Sequence, residues 1–280
     1  MNSKNKTKNI KDIITYAFLL LGLVIVITPF LFMISTALKP HTFVFEIPPR
    51  FIPEQITGSN FIAALTKENF GGYFLNSIIV GFSTTITTIV ISAMMAYAFA
   101  RIDFPGRKAL FYTLLLGMMV PSVMLIIPQF IMSKQLDTLD KRYGLVFVYT
   151  TMCIAQQTFL LKGYFSKVPK ELEEAAFIDG ASRMKIFWKI IIPLSKPGLA
   201  TVTIFTFLYS WDEFAFAHVS IQTITKRTLP IAIALFQSQY LTQWGLVFAA
   251  SLISLLPVIA VFIIFQKYFV KGISTSGLKE

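Results

Sequence analysis

The stretch FLNSIIVGFSTTITTIVISAMMAYAFA, residues 74–100, decides the fold because it contains no charged side chain. At a rise of about 1.5 Å per residue, an α-helix of this length crosses the hydrocarbon core of a bilayer, which is about 30 Å thick. Transmembrane β-strands would give shorter segments of alternating polarity. The stretch therefore predicts a membrane-spanning helix.

Similar apolar runs recur on both sides of this stretch, at residues 13–34, 109–132, 145–165, 199–217 and 246–269. Of the 280 residues, 55% are hydrophobic and only 14% are charged, whereas a soluble domain carries about 25% charged residues. We therefore predict an all-α membrane protein with about six transmembrane helices, forming a single domain over residues 1–280.

The basic residues predict the orientation of these helices. Lysine and arginine collect at the N-terminus, near residues 101–108, in the long connection 166–197 and after the last run. The positive-inside rule places such residues in the cytoplasm, so both termini are expected there. The formal charge of +11 then reflects the membrane, and we expect no nucleic-acid partner. The proline-containing residues 35–72 are predicted to form an external loop.

The long connection contains the segment VPKELEEAAFIDGASRMKIFWKIIIP, residues 168–193. Pro169 suits the start of a helix and Gly180 the left-handed turn that ends one. Ser182 can cap a second helix, which Pro193 is expected to stop. The segment therefore predicts two short helices joined by a turn.

The second of these helices is predicted to be amphipathic, because apolar residues recur at helical spacing at Met184, Phe187, Trp188 and Ile191. Such a hairpin can lie on the membrane surface, with its lysines over anionic lipid. It can equally dock to a soluble partner. The residues alone leave these two alternatives open.

Glu174, Ala175 and Ala176, followed by Gly180 and then by Pro193 after a hydrophobic run, resemble the EAA loop of the permease subunits of ABC importers. One position departs from that pattern, since Ile192 stands where the consensus has leucine. Short segments elsewhere are similar to the carbohydrate branch of the family: Leu38–Pro40, Leu75–Ser77, Tyr97–Arg101, Phe104–Arg107, Thr228–Pro230 and Phe265–Gly272.

The resemblance implies a type I ABC importer permease, with its core at about residues 70–270 and a cytoplasmic coupling loop at residues 166–197. It places the chain in a bacterial inner membrane, in contact with the lipid bilayer. It also implies three kinds of protein partner: a second homologous permease, two copies of a cytoplasmic ABC ATPase and an extracytoplasmic sugar-binding protein. ATP and Mg²⁺ would bind the ATPase, and no cofactor or metal would bind this chain. The residues implied to couple to the ATPase are Glu174, Ala175, Ala176, Asp179, Gly180 and Pro193.

The chain is not expected to be an enzyme in its own right, because it has no GxxxxGK[ST] phosphate loop and no assignable nucleophile and base. Two alternatives to a sugar importer remain. One is an ABC importer permease for another polar solute such as glycerol phosphate. The other is a stand-alone secondary transporter, which would use broken helices, and Pro121 and Pro128 hint at a break.

Polar residues within apolar runs are candidates for the translocation path or for contact with the binding protein. They are Asn76, Gln129, Gln156, Trp211, Asp212 and Glu213. The amides can equally bridge neighbouring helices. Asp212 and Glu213 can also mark a helix end at the water interface, with Trp211 in the aromatic belt. The carbohydrate permeases usually have asparagine at the position of Asp212.

Overall fold

The computed structural model describes residues 2–40, 50–66, 69–236 and 243–274, and within these ranges every regular element is a helix. Four helices are long and apolar enough to cross a membrane. They are α1 (Asn2–Ala37), α3 (Phe70–Arg101), α6 (Arg142–Ser166) and α13 (Trp244–Ser274). These helices confirm the predicted all-α membrane class. Pro48 and Pro49 of the predicted external loop lie outside the described residues.

The third predicted span is bent. Helix α4 (Arg107–Gly117) is followed by a 3₁₀ turn (Ser122–Leu125) and by α5 (Ile126–Gln135), and the two halves meet at 95°. Pro121 precedes the turn with an extended backbone (φ −59°, ψ 132°), because it cannot continue the helix of α4. Pro128 lies in the first turn of α5, where its missing N–H has no helical partner to lose.

A second bend, of 80°, lies just before the fifth predicted span, residues 199–217, and joins a helical segment of the predicted cytoplasmic connection to the helix of that span. The segment before the bend comprises α8 (Arg183–Ile186), a π-helical turn (Phe187–Ile191) and α9 (Ile192–Leu194), and the helix after it is α10 (Lys196–Asp212). If each bent pair counts as one span, the described residues contain up to six. The prediction of about six spans is thus confirmed.

Pro193 does not stop its helix, so that prediction was wrong. It lies inside α9, and the bend falls at Ser195 (φ −101°, ψ 18°). A proline ring normally clashes with the carbonyl four residues earlier. Here the residues before Pro193 form the wide π turn, in which the hydrogen bonds span five residues instead of four. We infer that this turn accommodates the ring.

Shorter helices occupy the connections, namely α2 (Ser59–Thr66), α7 (Lys170–Ile178), α11 (Ala215–Ser220), a 3₁₀ turn (Ile224–Lys226) and α12 (Leu229–Leu235). Helix α2 lies inside residues 35–72, which were predicted to be loop. The sequence analysis missed it because an eight-residue helix that follows a proline-rich stretch gives no clear helical period. Helix α10 ends five residues before the predicted end at residue 217, because Glu213 has an extended backbone.

The chain forms two compact units. The first comprises residues 1–70 and 233–254. In it the amide of Asn60 donates hydrogen bonds to the carbonyls of Ala37 (2.9 Å) and Lys39 (2.7 Å), which lie at the C-terminal end of α1 and would otherwise have no helical partner. Gly245 packs against this amide, and a Cβ there would lie 2.7 Å from Asn60 Nδ2.

The second unit comprises residues 71–232 and 255–280 and contains the predicted coupling segment. Its core on the side of that segment joins residues of α3, α6, the π turn and α10, among them Ala96, Leu161, Phe165, Ile191 and Val202. Gly198 of α10 lies directly against the ring of Tyr164 of α6. The single-domain organisation stays a prediction.

Candidate functional site

The coupling segment folds as the predicted pair of helices with a turn between them. Helix α7 begins after Pro169 and ends at Gly180, which has φ +76°. This left-handed conformation lets the amide of Ala181 donate to the carbonyl of Ala176 at 2.9 Å, as in other glycine-terminated helices. The next helix starts at Ser182, whose hydroxyl accepts a hydrogen bond from the amide of Lys185 at 3.3 Å.

The implied coupling residues lie mostly on the open side of this hairpin. Glu174, Ala175, Asp179, Gly180 and Pro193 are exposed, and Ala176 is half-buried. Apolar side chains accompany them on the surface, notably Phe177 and Ile178, which is 87% exposed. Carboxylates, small residues and apolar side chains thus share one accessible surface on α7.

The predicted amphipathic face of the second helix was partly wrong. Phe187 and Ile191 are buried as expected, but Met184 and Trp188 are about half exposed, and Ile186 is fully buried. The cause is the π turn over Phe187–Ile191. Because a π turn holds more residues than an α turn, it brings Ile191 onto the same face as Ile186 and Phe187.

An ion pair beneath α7 escaped the sequence analysis. Arg101 Nε lies 2.9 Å from Glu173 Oε1, and the two side chains are only 5% and 9% exposed. The guanidinium of Arg101 also donates to the carbonyls of Phe165, at 2.5 Å, and Val168. The hydroxyl of Tyr97 lies 3.4 Å from Glu173 Oε2. The only sign of this ion pair in the sequence was a basic residue, Arg101, at the end of an apolar run. An exposed loop residue gives the same pattern.

Asn76, at the other end of α3, is buried and connects distant parts of the chain. Its amide nitrogen donates to the carbonyls of Thr225 and Arg227, both at 2.9 Å. Its amide oxygen accepts from the guanidinium of Arg142 at 2.9 Å. Next to it, the hydroxyl of Ser77 accepts from the amide of Leu229 at 2.8 Å. These are the contacts expected of a bridging amide.

Asp140, between α5 and α6, binds the same connection as Asn76, residues 221–228. The sequence analysis missed this residue as well. Its carboxylate accepts from the amides of Gln222 (3.0 Å) and Thr223 (2.8 Å), from the Thr223 hydroxyl (2.5 Å) and from Lys226 Nζ (2.9 Å). Partial burial raises the pKa of Asp140, but these hydrogen bonds outweigh it and hold the pKa well below its ordinary value. The residue has a left-handed backbone, with φ 56°.

Of the three candidates at the end of α10, two have partners within the chain. Glu213 accepts hydrogen bonds from the Tyr149 hydroxyl (2.5 Å) and from the amides of Phe216 (2.7 Å) and Ala217 (3.1 Å) at the start of α11. Trp211 is buried and stacks on Phe207, with ring centroids 5.5 Å apart. Asp212 is exposed.

The two candidate glutamines lie on different helices of the second unit. Gln129 of α5 is half-buried, and its amide nitrogen lies 2.8 Å from the sulfur of Met152 on α6. Gln156 of α6 is exposed, whereas its neighbour Gln157 is buried at 2% exposure. Gln156 and Asp212 are therefore exposed, Gln129 and Glu213 are half-buried, and Asn76 and Trp211 are buried.

The chain is similar to characterised transport proteins over almost its whole length. It is 35% identical to the trehalose/maltose transport system permease protein MalG of Thermococcus litoralis, over 96% of this chain and 98% of that protein. It is 33% identical to the diacetylchitobiose uptake system permease protein NgcG of Streptomyces coelicolor, over 93% and 87% respectively. Among solved structures, it matches a chain of a bacterial ABC transporter involved in the import of alginate, with a TM-score of 0.81, 26% identity and coverage of 94% and 98%.

A family model described as the binding-protein-dependent transport system inner membrane component matches residues 88–275. The match includes the bent pairs, the coupling segment and α13. The helices, the glycine-terminated α7 and the relatives agree with one another, so the chain belongs to the family of inner-membrane components of binding-protein-dependent transport systems.

Proposed function

We propose that the chain is the permease subunit of an ATP-driven, binding-protein-dependent importer of a carbohydrate. The observation that carries this proposal is the α7 hairpin, which exposes Glu174 and Ala175 of the family's EAA residues and leaves Ala176 half-buried. Relatives that take up trehalose, maltose, diacetylchitobiose and alginate support a carbohydrate as the substrate.

The hairpin is the surface on which we expect the ATPase to dock. The exposed carboxylates of Glu174 and Asp179 accept hydrogen bonds from basic groups of the partner. Ala175 and Ala176 have no long side chain to hold the partner away, and Ile178 supplies apolar area. Gly180 sets the turn, and Pro193 lies exposed ahead of the bend at Ser195.

The translocation path is proposed to run past Gln129, Gln156 and Asp212, which keep accessible polar side chains. An exposed carboxylate at Asp212 disfavours an anionic substrate nearby. Asn76 and Glu213 support the path indirectly, because their contacts hold the connection 221–228 and the start of α11 in place, and Trp211 does so by packing against Phe74 and Phe207.

In the cell we expect this chain to pair with a second homologous permease, with both termini in the cytoplasm. Two copies of an ABC ATPase bind ATP and Mg²⁺, and a sugar-binding protein delivers substrate from outside. Transport then proceeds by alternating access, in which nucleotide favours one of two packings of the helices. This chain contributes half of the path and the coupling surface, and its partner hydrolyses the ATP.

The test begins with purification of the tagged chain from its own cells in mild detergent, followed by mass spectrometry of the copurified proteins. We expect an ATPase and a second permease of similar size. The complex is then placed in liposomes with its binding protein, and uptake of labelled maltose, trehalose and diacetylchitobiose is measured with and without enclosed ATP. Uptake by the chain alone, abolished by an ionophore and indifferent to ATP, would show a secondary transporter instead.

A further inference from the structure

Glu173 differs from the other acidic residues of its helix. Glu171 and Glu174 are exposed, whereas Glu173 is 7% exposed. Within the part of the chain that the structure describes, it is the only carboxylate among the buried residues. A buried carboxylate is costly unless it is paired and hydrogen-bonded. The fold must therefore supply a partner beneath α7.

That partner, Arg101, is the last residue of α3 and joins three elements. One edge of its guanidinium faces Glu173 of α7, at 2.9 Å. Its terminal nitrogen Nη2 binds the carbonyls of Phe165 and Val168, at the C-terminal end of α6. Phe165 lies in the last turn of α6, where the negative end of the helix dipole favours a cation, and its carbonyl also accepts from the amide of Val168 at 3.2 Å. A guanidinium can hold the carboxylate and both carbonyls at once because it carries several donors, although the contact of Nε with Glu173 Oε1 is a close ion pair without the geometry of a hydrogen bond.

Tyr97, one turn before Arg101 on α3, extends the connection. Its hydroxyl lies 3.4 Å from Glu173, and its ring centroid lies 5.2 Å from that of Phe187 in the π turn. The same side chain thus touches the buried side of α7 and the helix that follows the hairpin. Both Tyr97 and Phe187 belong to the core that includes Ala96 and Leu161.

We propose that Arg101 is a positioning residue for coupling: its buried ion pair with Glu173 fixes the rotation of α7, so that movement of the α7 surface is transmitted to α3. This role rests on the proposed importer function. Glu173 and Glu174 are adjacent, one facing Arg101 and the other facing outward. A rotation that unseats Glu173 therefore also turns Glu174 and Ala175 away from an ATPase docked on them.

Burial is what makes this pair suited to the task. Removal of one partner of a buried pair leaves the other charge without compensation. An exposed pair contributes little, and Arg107 with Asp103 is such a pair on the neighbouring loop, since the Asp103 side chain is 92% exposed. Asp103→Asn is therefore the matched control for Glu173→Gln, because each change converts one carboxylate of an ion pair into its amide.

The first experiment measures sugar molecules imported per ATP hydrolysed, in liposomes that contain the assembled complex. We expect Glu173→Gln and Arg101→Met to lower this ratio about fivefold or more, with ATP hydrolysis retained. Asp103→Asn should leave the ratio unchanged, and Arg101→Lys, which keeps the charge, should restore part of it. A purely structural role would lower the yield of complex and leave the ratio intact, and an unchanged ratio in Glu173→Gln overturns the proposal.

The second experiment needs no transport and uses hydrogen–deuterium exchange of the purified chain. Amides of residues 172–178 should exchange clearly faster in Arg101→Met than in the wild type and to an intermediate extent in Arg101→Lys, whereas Asp103→Asn should leave them unchanged. Equal exchange overturns the proposal. If the wild-type complex shows no ATP-dependent sugar uptake, the proposed function fails, and the exchange result still decides whether the pair positions α7.

Discussion

Replacement of Gly198 by alanine introduces a methyl group where α10 meets α6. The added Cβ would lie 2.6 Å from Cγ, 2.7 Å from Cδ2 and 3.0 Å from Cβ of Tyr164. Carbon atoms in contact normally lie about 3.5–4.0 Å apart, so a gap of roughly 1 Å must open. The clashing atoms are at the base of the Tyr164 side chain, and a rotation of its outer ring cannot relieve them. The helices themselves must separate.

The expected cost follows from two opposing effects. Overpacking of a well-packed site costs about 1–3 kcal/mol. Alanine recovers up to about 1 kcal/mol, because it favours the helix over glycine. The net loss of stability is therefore about 1–2 kcal/mol, which corresponds to a decrease in Tm of about 2–8 °C for a chain of this size.

The assay is thermal unfolding of the purified chain in detergent, followed by tryptophan fluorescence and by size-exclusion chromatography of heated samples. Gly163→Ala is the matched control, because Gly163 is likewise a helical glycine, next to Tyr164 in α6, and has no neighbouring atom within 4 Å of an added Cβ. We expect its Tm to equal or exceed that of the wild type. Combining Gly198→Ala with Tyr164→Ala should leave little further loss relative to Tyr164→Ala alone, since the clashing Cγ and Cδ2 are then gone. Equal Tm values for the two alanine variants would refute the packing argument.

Three further predictions concern the coupling hairpin and the connection at the other end of the molecule. Gly180→Val should lower the free energy of unfolding by about 1–2 kcal/mol, because φ at this residue is +76°, and it should reduce copurification of the ATPase. Gly180→Asn should lower the free energy of unfolding less. Equal Tm values for the wild type and Gly180→Val would contradict this reasoning. Glu174→Lys should weaken ATPase retention on a pull-down column about tenfold or more, through loss of a charged hydrogen bond, whereas Asp137→Lys, at an exposed carboxylate between α5 and α6, should not. The lowered pKa of Asp140 means that its stabilisation is complete above its ordinary pKa of 3.8 and is lost as the pH falls below that value. Asp140→Asn should therefore lower Tm at pH 7, and the difference in Tm between the variant and the wild type should shrink in acid. A constant difference from pH 7 to pH 3 would show that the carboxylate charge is not responsible.

Much of the helical architecture could be predicted from the sequence. A span must be apolar over about 20 consecutive residues, and this requirement is local, so α3, α6 and α13 were found to within four residues of their starts. The two helices of the coupling hairpin and the turn between them could be predicted equally well. Its determinants, Pro169, Gly180 and Ser182, act on the backbone of their immediate neighbours.

The breaks in the helices were only partly foreseen. A proline predicts that a helix is perturbed but not how its surroundings respond. Pro121 coincides with a 95° bend, whereas Pro193 is retained inside a helix behind a π turn. The difference depends on the residues against which each segment packs. Ile186, Phe187 and Ile191 are buried against α3 and α6 on one side of the π turn.

The sequence alone determined that this chain is a helical membrane protein and that residues 168–193 form a helical hairpin, because hydrophobic length and turn chemistry are properties of neighbouring residues. Only the tertiary structure decided which polar groups have partners. Tyr97 and Glu173 are 76 residues apart in the chain, and Asp140 and Thr223 are 83 apart. A charged residue at the end of an apolar run has the same sequence signature whether it faces water or a buried carboxylate. The energetic difference arises only when another helix removes the water around it.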